Sequence, residues 1–299
     1  MIKTWFLALR PWSFTAAVIP VTLGTVVALQ HGHFNAFLFI LTFIGGILIQ
    51  AGTNLTNTYG DYISGVDTPE SAATCPQLVN RILKPKQMKM VGIIAFLLAA
   101  MIGGYLVYLR GWPILVLGSI GIIFGYTYTL GPRPYKYMGL GSILVFFLMG
   151  PCMVIGAYYV QTGFFNWLAL WVSLPIGFLV SCILHANDLR DVNFDYKAGI
   201  NTLALTLGRN KGFLLQYFLN ISAFLSLILL LATQKIPLTA ILPILLIPGL
   251  VKIIKETRAS WYGNNECLVL LEANAAKFHM QFGLMFIGGF LLDFISRGL

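Results

Sequence analysis

Two short polar stretches repeat one pattern of carboxylate and carboxamide oxygens. The stretches are NLTNTYGDYISGVDT, residues 54–68, and DLRDVNFDYKAGINT, residues 188–202. The matched oxygen-bearing pairs are Asn54 and Asp188, Asn57 and Asp191, Asp61 and Asp195, and Asp67 and Asn201. Oxygen ligands without histidine or cysteine suit a hard cation such as Mg²⁺, which commonly bridges carboxylates to substrate phosphates. The repeated pattern therefore indicates a divalent-cation site that acts on a diphosphate.

The spacing within each stretch predicts that its oxygen-bearing side chains share one face of a helix. Asn54, Asn57 and Asp61 fall at i, i+3 and i+7, and the second stretch repeats this spacing. Gly65 and Gly199 follow four residues after the last acid of each ladder, where a helix would end in a turn. Like charges one turn apart repel, so a cation must offset them. Two facing clusters indicate two metal sites around one diphosphate.

Two other interpretations of the repeated acids stay open. The acids could pair with Arg81, Arg190 and Lys197 as a solvated loop network, although such a network gives no reason for the same spacing twice. Secondary transporters also build coupling-ion sites from duplicated intramembrane acids. Four predicted spans separate the copies, so both face the same side of the membrane. Their place at one end of the spans, and not at the midplane, favours an enzyme.

The composition predicts a polytopic membrane protein of the all-α class. The 299 residues are 58% hydrophobic and 10% charged, with a mean hydropathy of +0.82, which is too apolar for a soluble globule. About nine apolar stretches approach the ~20 residues that cross the hydrocarbon. They are 14–29, 36–56, 90–108, 113–130, 140–160, 165–184, 213–233, 237–254 and 280–295.

The positive charges predict the orientation in the membrane. Of the 19 Lys and Arg residues, all but Arg110, Lys235 and Arg297 fall on one side of the predicted spans. Because cations are retained on the cytoplasmic side, we expect a cytoplasmic N-terminus, an outside C-terminus, and both polar stretches facing the cytoplasm. The first apolar stretch has no cleavage pattern and is interpreted as a span. Part of the net charge of +9 could bind an anionic substrate.

The two polar stretches resemble the signatures of the UbiA superfamily of intramembrane prenyltransferases. Asn57, Asp61 and Asp67 in NTYGDYISGVD are similar to the first signature, and Asp191 and Asp195 in NDLRDVNFDYKAG to the second. The resemblance covers nearly the whole chain. Segments similar to the menaquinone branch, the 1,4-dihydroxy-2-naphthoate polyprenyltransferases, are LRPWSFTAAVIPVTLG, NRILKP, YTLGPRPYKYMGLG, GPCMVIGAYYVQTG and INTLALTLG.

The resemblance implies a single domain over residues 1–299, with nine helices around a central cavity and cytoplasmic cap loops after helices two and six. It implies Mg²⁺ as cofactor, polyprenyl diphosphate as donor, an aromatic quinone precursor as acceptor and the lipid bilayer as surroundings. An allylic carbocation forms and is attacked by the acceptor ring, and a naphthoate then loses carbon dioxide. The runner-up acceptors are 4-hydroxybenzoate-like rings. We expect the inner (cytoplasmic) membrane of a prokaryote and no nucleic-acid partner, and the oligomeric state stays open.

The resemblance and the local chemistry together assign roles to named residues. The expected metal ligands are Asn57, Asp61, Asp67, Asp188, Asp191 and Asp195. The expected catalytic residues are Asp61 and Asp191, with Lys136, Arg81 and Arg190 as cations at the diphosphate. The residues expected to contact substrate or to orient ligands are Asn54, Asn187, His185, Lys84, Arg133, Tyr128 and Lys197. The rings that could shield the carbocation, or simply pack, are Tyr126, Tyr128, Phe146, Phe147 and Tyr159.

Overall fold

The computed structural model describes residues 1–69 and 76–298, and within these ranges its regular elements are helices without a β-strand. The α-helices are α1 Ile2–Ala8, α2 Thr15–Gln30, α3 Ala36–Ile63, α4 Pro85–Arg110, α5 Trp112–Thr127, α6 Gly141–Phe147, α7 Met153–Thr162, α8 Trp167–Lys197, α9 Leu203–Ala232, α10 Ile247–Trp261 and α11 Asn265–Gly298. Two 3₁₀ helices, Pro11–Phe14 and Leu238–Leu246, and a π turn, Leu148–Cys152, complete the set for the described residues.

The described residues contain eight helical segments that are long and apolar enough to cross a membrane, together with the shorter apolar helix α5. The segment Gly141–Thr162 consists of α6, the π turn and α7, and Leu238–Trp261 consists of a 3₁₀ helix and α10. The π turn contains Pro151, whose missing N–H leaves the helix ladder incomplete at that point. The all-α fold class and the count of about nine spans are therefore confirmed.

The helices that carry the polar stretches are longer than the apolar pattern predicts. The predicted spans 36–56 and 165–184 continue as the 28-residue α3 and the 31-residue α8. At 1.5 Å per residue, these helices measure about 42 and about 46 Å, against a hydrocarbon thickness of about 30 Å. The last turns of each helix therefore extend beyond the hydrocarbon and carry the acids to one face of the bundle.

Local sequence fixes where α3 and α8 begin and end. The Asn35 and Asn166 side chains cap the two N-termini by accepting hydrogen bonds from backbone N–H groups at 3.0 and 2.8 Å. At the other ends, Gly65 and Gly199 take φ values of +76° and +69°, in the left-handed region that favours glycine. The predicted turn after each acid ladder is confirmed, so both ladders end in the same geometry.

Close helix contacts hold the acid-bearing ends in place. α3 packs on α4, while α8 packs on α9 and α11, and α2 packs on α7 and α11 around a core that includes Leu23, Ile176 and Phe282. A Cβ atom on Gly60 would lie 2.7 Å from the Thr129 side chain, so the end of α3 touches the start of the loop after α5. That loop is thereby positioned beside the first acid ladder.

Candidate active site

The first polar stretch centres on a buried carboxylate, that of Asp61. Lys136, from the loop after α5, donates through Nζ to its two oxygens at 2.9 and 2.8 Å. The Tyr137 hydroxyl donates to Oδ1 at 3.0 Å, and Asn57 donates through Nδ2 to Oδ2 at 2.7 Å. The Lys136 and Asp61 side chains are only 2% and 7% exposed. One cation and two neutral donors therefore fix the orientation of this carboxylate away from bulk water.

The second polar stretch carries a different arrangement of charge. Arg190 donates through Nε and Nη2 to the two oxygens of Asp191 at 2.8 and 2.7 Å, and through Nη1 to Glu272 of α11. Asn187 also donates to Glu272, at 3.2 Å. Farther along α8, the buried Asp195 accepts a hydrogen bond from a threonine hydroxyl at 3.1 Å. In each polar stretch, one carboxylate therefore binds a cation through both of its oxygens: Asp61 binds Lys136, and Asp191 binds Arg190.

The charges of both repeats act on the same groups. Burial by itself would lower the pKa of Lys136, but Asp61 and, from the second repeat, Asp195 raise it well above its usual range. Burial raises the pKa of Asp67 to about 6, and the charges of Asp61 and Asp191 add to this effect against nearby cations. The loop that carries Lys136 also forms a β-bridge from Met138 to the turn after α8. The two acid clusters therefore form one electrostatic site.

Within the two polar stretches, three buried carboxylate oxygens have no hydrogen-bond partner in the described part of the chain. They are Oδ2 of Asp67, Oδ1 of Asp188 and Oδ1 of Asp195. An unpaired buried oxygen is costly, so these atoms fit a cation that would satisfy them. Among the described residues, no three His, Cys, Asp or Glu side chains form a closed metal cage. The donor set suits Mg²⁺, which keeps several waters and shares its coordination between a few carboxylates and substrate phosphates.

A largely apolar cavity of about 400 Å³ adjoins the acid clusters. Asn57 and Asn187, which contact the two clusters, also line it. The other polar lining residues near this end include Arg10, Ser13, Gln50, Asn54, Tyr128 and Glu272. α4 and α5 form part of its wall through lining residues that include Ala100, Gly104 and Leu115, and these three residues are exposed. Its apolar lining suits an apolar chain with a polar head at the acid clusters.

Two residues at the site were not predicted from the sequence. Arg10 was counted only as a topology cation, but it is 8% exposed and donates to the Asn57 side chain at 3.1 Å. Its backbone has a φ of +54°, which is uncommon outside glycine and aims the side chain into the cavity. Glu272 was also missed. A lone acid in the apolar stretch before Ala273 is the signal that could have found it.

Several predicted substrate contacts have definite partners in the structure. Tyr128 lines the cavity, with the Lys136 ammonium 5.8 Å from its ring centroid. Asn54 lines it too, and donates to the backbone of the segment before α2 at 2.8 Å. His185 is fully buried and donates through Nε2 to the Gly212 carbonyl of α9 at 2.8 Å. It is not among the described residues that line the cavity, and its contact is that of a packing residue.

The remaining predicted residues lie farther out. The four exposed cations are Arg81, Lys84, Arg133 and Lys197, and none of them lines the described cavity. Of the proposed aromatic shield, Tyr126 packs on Phe96, Phe146 packs on Phe178, and Phe147 is 52% exposed on the bundle surface. Tyr159 packs in a small apolar cluster. Of the five predicted rings, only that of Tyr128 is among the described residues that line the cavity.

The chain is similar to known proteins in sequence and in fold. The model of the UbiA prenyltransferase family matches residues 17–271. The 1,4-dihydroxy-2-naphthoate octaprenyltransferase of Bacillus subtilis is 34% identical over 203 residues, which are 68% of this chain and 65% of that protein. The UbiA prenyltransferase domain-containing protein 1 homolog of Drosophila melanogaster is 30% identical over 296 residues, 96% of this chain and 79% of that protein. A UbiA homolog from Archaeoglobus fulgidus bound to GPP and Mg²⁺ has a similar fold, with a TM-score of 0.60, 15% identity and coverage of 95% of this chain and 99% of that one.

Proposed function

The chain belongs to the UbiA prenyltransferase family, and we propose that it transfers a polyprenyl group from polyprenyl diphosphate to 1,4-dihydroxy-2-naphthoate in menaquinone biosynthesis. Family membership makes it a multi-pass membrane enzyme, which removes the transporter alternative. The naphthoate acceptor is supported by the name of the Bacillus subtilis relative. The use of Mg²⁺ is supported by the ligands of the Archaeoglobus fulgidus homolog.

The observation that carries the proposal is the joining of two acid clusters at the polar end of one apolar cavity. The clusters supply unpaired buried oxygens of Asp67, Asp188 and Asp195, and the buried cations Lys136 and Arg190 lie beside them. A diphosphate bound there would lie among positive groups, while its prenyl tail would occupy the apolar cavity, which α4 and α5 help to line.

Each residue of the site has a distinct role in the proposed reaction. When bound, Mg²⁺ supplies positive charge to the departing diphosphate. Asp61, Asp67 and the three acids of α8 would hold the ions, with Asn57 as the carboxamide ligand of the first cluster. Lys136 would turn from Asp61 to the diphosphate and stabilise the charge that develops there as the allylic bond breaks. The apolar cavity excludes water from the carbocation, and the face of Tyr128 stabilises it by about 0.5–2 kcal/mol.

The ring of the naphthoate then attacks the allylic carbon, and the carboxyl group leaves as carbon dioxide. The polar lining residues Arg10, Asn54 and Asn187 stand where the acceptor would meet the donor head. The exposed cations Arg81, Lys84, Arg133 and Lys197 would attract the diphosphate from solution. We place this face in the cytoplasm because most Lys and Arg residues lie on this side of the spans. We also propose that the protein lies in the inner membrane of a prokaryote and that residues 1–299 form one catalytic domain.

A competition assay tests the reaction. The purified protein in lipid nanodiscs is incubated with labelled polyprenyl diphosphate and equal amounts of 1,4-dihydroxy-2-naphthoate and 4-hydroxybenzoate. The products are identified by mass spectrometry. We expect a prenylated, decarboxylated naphthalene product that disappears with EDTA and returns with Mg²⁺. The variant Asp61→Asn is the matched negative control. A prenylated hydroxybenzoate as the main product would replace the proposed acceptor, and activity that persists in EDTA would remove the metal from the proposal.

A further inference from the structure

A buried triad of charges links α11 to the second acid cluster. The Arg190 guanidinium makes two hydrogen bonds to Asp191, at 2.8 and 2.7 Å, and a third to Glu272. The side chains of Arg190, Asp191 and Glu272 are 8%, 15% and 10% exposed. Asn187 adds a hydrogen bond to Glu272 at 3.2 Å. One guanidinium is therefore shared between two carboxylates away from bulk water.

Glu272 comes from outside both polar stretches. It lies on α11, in the apolar sequence LVLLEANAAKF, and its side chain lines the cavity. A carboxylate buried in such a place loses its hydration, and the hydrogen bonds from Arg190 and Asn187 replace that hydration. Both of those partners belong to α8, next to Asp191. Glu272 therefore belongs to the second acid cluster through its hydrogen bonds, although it lies outside the repeated sequence pattern.

Arg190 binds both oxygens of Asp191, a carboxylate that the proposed reaction needs as a metal ligand. In the proposed function Asp191 holds a divalent cation, yet both of its oxygens accept hydrogen bonds from Arg190. Asp191 can turn to a cation only if Arg190 releases it. A buried guanidinium that loses its sole carboxylate is strongly destabilised. Arg190 does not face that loss, because its Nη1 remains bound to Glu272.

We propose that Glu272 is a positioning residue that retains Arg190 while Asp191 turns to a divalent cation. This inference rests on the proposed function. Glu272 keeps the guanidinium charge compensated, so the exchange at Asp191 breaks two hydrogen bonds without creating an unpaired buried charge. Without the Glu272 carboxylate, Asp191 would be the only carboxylate bound to Arg190, and Arg190 would hold it more tightly. A divalent cation would then bind Asp191 more weakly, because it would have to displace Arg190.

Direct measurement of Mn²⁺ binding tests the proposal without turnover. Free Mn²⁺ is quantified by electron paramagnetic resonance against the full-length protein, without donor, for wild type, Glu272→Gln, Arg190→Gln and the double variant. We expect Glu272→Gln to weaken Mn²⁺ binding about tenfold or more, the size typical of losing a group that orients a metal ligand. In the Arg190→Gln background the same change should alter the affinity by less than about twofold, because no guanidinium is left to retain.

The outcomes separate this inference from the proposed function. Wild-type affinity in Glu272→Gln overturns the inference. An equal loss in both backgrounds overturns it as well, since Glu272 would then act as a distant negative charge and not through Arg190. Absence of Mn²⁺ binding by the wild-type protein without donor overturns this inference alone, because the proposed function is tested separately by the competition assay.

Two further variants control for folding and for charge. Glu256→Gln removes a carboxylate of α10 that accepts a hydrogen bond from Asn274 at 2.9 Å, and it should bind Mn²⁺ as wild type does. Glu272→Asp keeps the charge with a shorter reach, and should restore part of the affinity lost in Glu272→Gln. In the Mg²⁺-dependent reaction, Glu272→Gln should raise the Mg²⁺ concentration for half-maximal rate while kcat at saturating Mg²⁺ is largely retained. A loss confined to kcat would contradict a positioning role.

Discussion

Replacing Lys136 by methionine separates the stability of the first acid cluster from its chemistry. The change keeps the aliphatic stem and removes the ammonium that binds both oxygens of Asp61. Removing one partner of a buried ion pair typically costs about 3–5 kcal/mol, because the other charge is left unpaired. Asp61 would still accept hydrogen bonds from Asn57 and Tyr137. We therefore expect a loss near the lower limit, about 3 kcal/mol.

Thermal unfolding in detergent measures this loss. With an unfolding entropy of about 2.1 cal/mol/K per residue, 1 kcal/mol shifts the melting temperature of a 299-residue chain by about 1.6 °C, so Lys136→Met should melt roughly 5 °C below wild type. All variants are heated at one rate, because membrane proteins often unfold irreversibly. The double variant Asp61→Asn with Lys136→Met removes both charges and should recover most of the lost stability. Prenyl transfer should fall about 10²–10³-fold in Lys136→Met, since the diphosphate loses a preorganised cation, and it should be abolished in the double variant, which also lacks the Asp61 carboxylate.

The pH dependence gives the same prediction a second test. A folded-state pKa raised above the ordinary lysine value means that the stabilisation by Lys136 is complete below about pH 10 and is lost only as pH rises through the raised value. The stability difference between Lys136→Met and wild type should therefore stay constant from about pH 8 to 9, above the range in which Asp67 titrates. A double variant as unstable as the single one, or wild-type turnover in Lys136→Met, would refute the reasoning.

Three further variants give distinct outcomes. Asp61→Asn should abolish Mg²⁺-dependent transfer and lower the melting temperature, because buried Lys136 loses its counter-charge, and Asp61→Ala should lower it further, because Lys136 also loses its hydrogen-bond acceptors; equal melting of the two would contradict this. Gly103→Leu, which fills open space in the cavity lining, should shift preference to shorter prenyl donors in a mixed-donor assay, and Gly288→Leu, on α11 outside the lining, should not. His185→Phe should destabilise the protein by about 1–3 kcal/mol by leaving the Gly212 carbonyl unpaired; a fall in kcat without that destabilisation would restore a catalytic role for the histidine.

The sequence predicted the parts of the fold that depend on local patterns. Hydropathy over about 20 residues identified the spans, and the i, i+3, i+7 spacing identified the shared face of the acids. Gly65 and Gly199 marked the ends of both ladders, because only a residue without a side chain takes their positive φ freely. The predicted ends of α3 and α8 fell short, since hydropathy drops where the polar stretches begin although the helices continue.

Partners across the fold were harder to predict. Lys136 was proposed for the diphosphate, but its contact with both oxygens of Asp61 depends on how the loop after α5 meets the end of α3. Glu272 lies 81 positions from Asp191 in the chain, and no local pattern joins it to that residue. Arg10 follows the topology rule and also lines the cavity. The sequence analysis predicted its role in topology but not its contact with the site. Contacts between distant segments decided these cases.

The length of α5 connects the enzyme to the thickness of its membrane. Its 16 residues measure about 24 Å, some 6 Å less than the hydrocarbon around it. A short wall of this kind creates hydrophobic mismatch, and lipids thin locally to meet it at a fraction of a kcal/mol per Å. Because α5 forms part of the cavity wall, bilayers of different acyl length would press differently on this wall. If the proposed function holds, the lipid composition of the host membrane would thereby affect how a prenyl tail is accommodated.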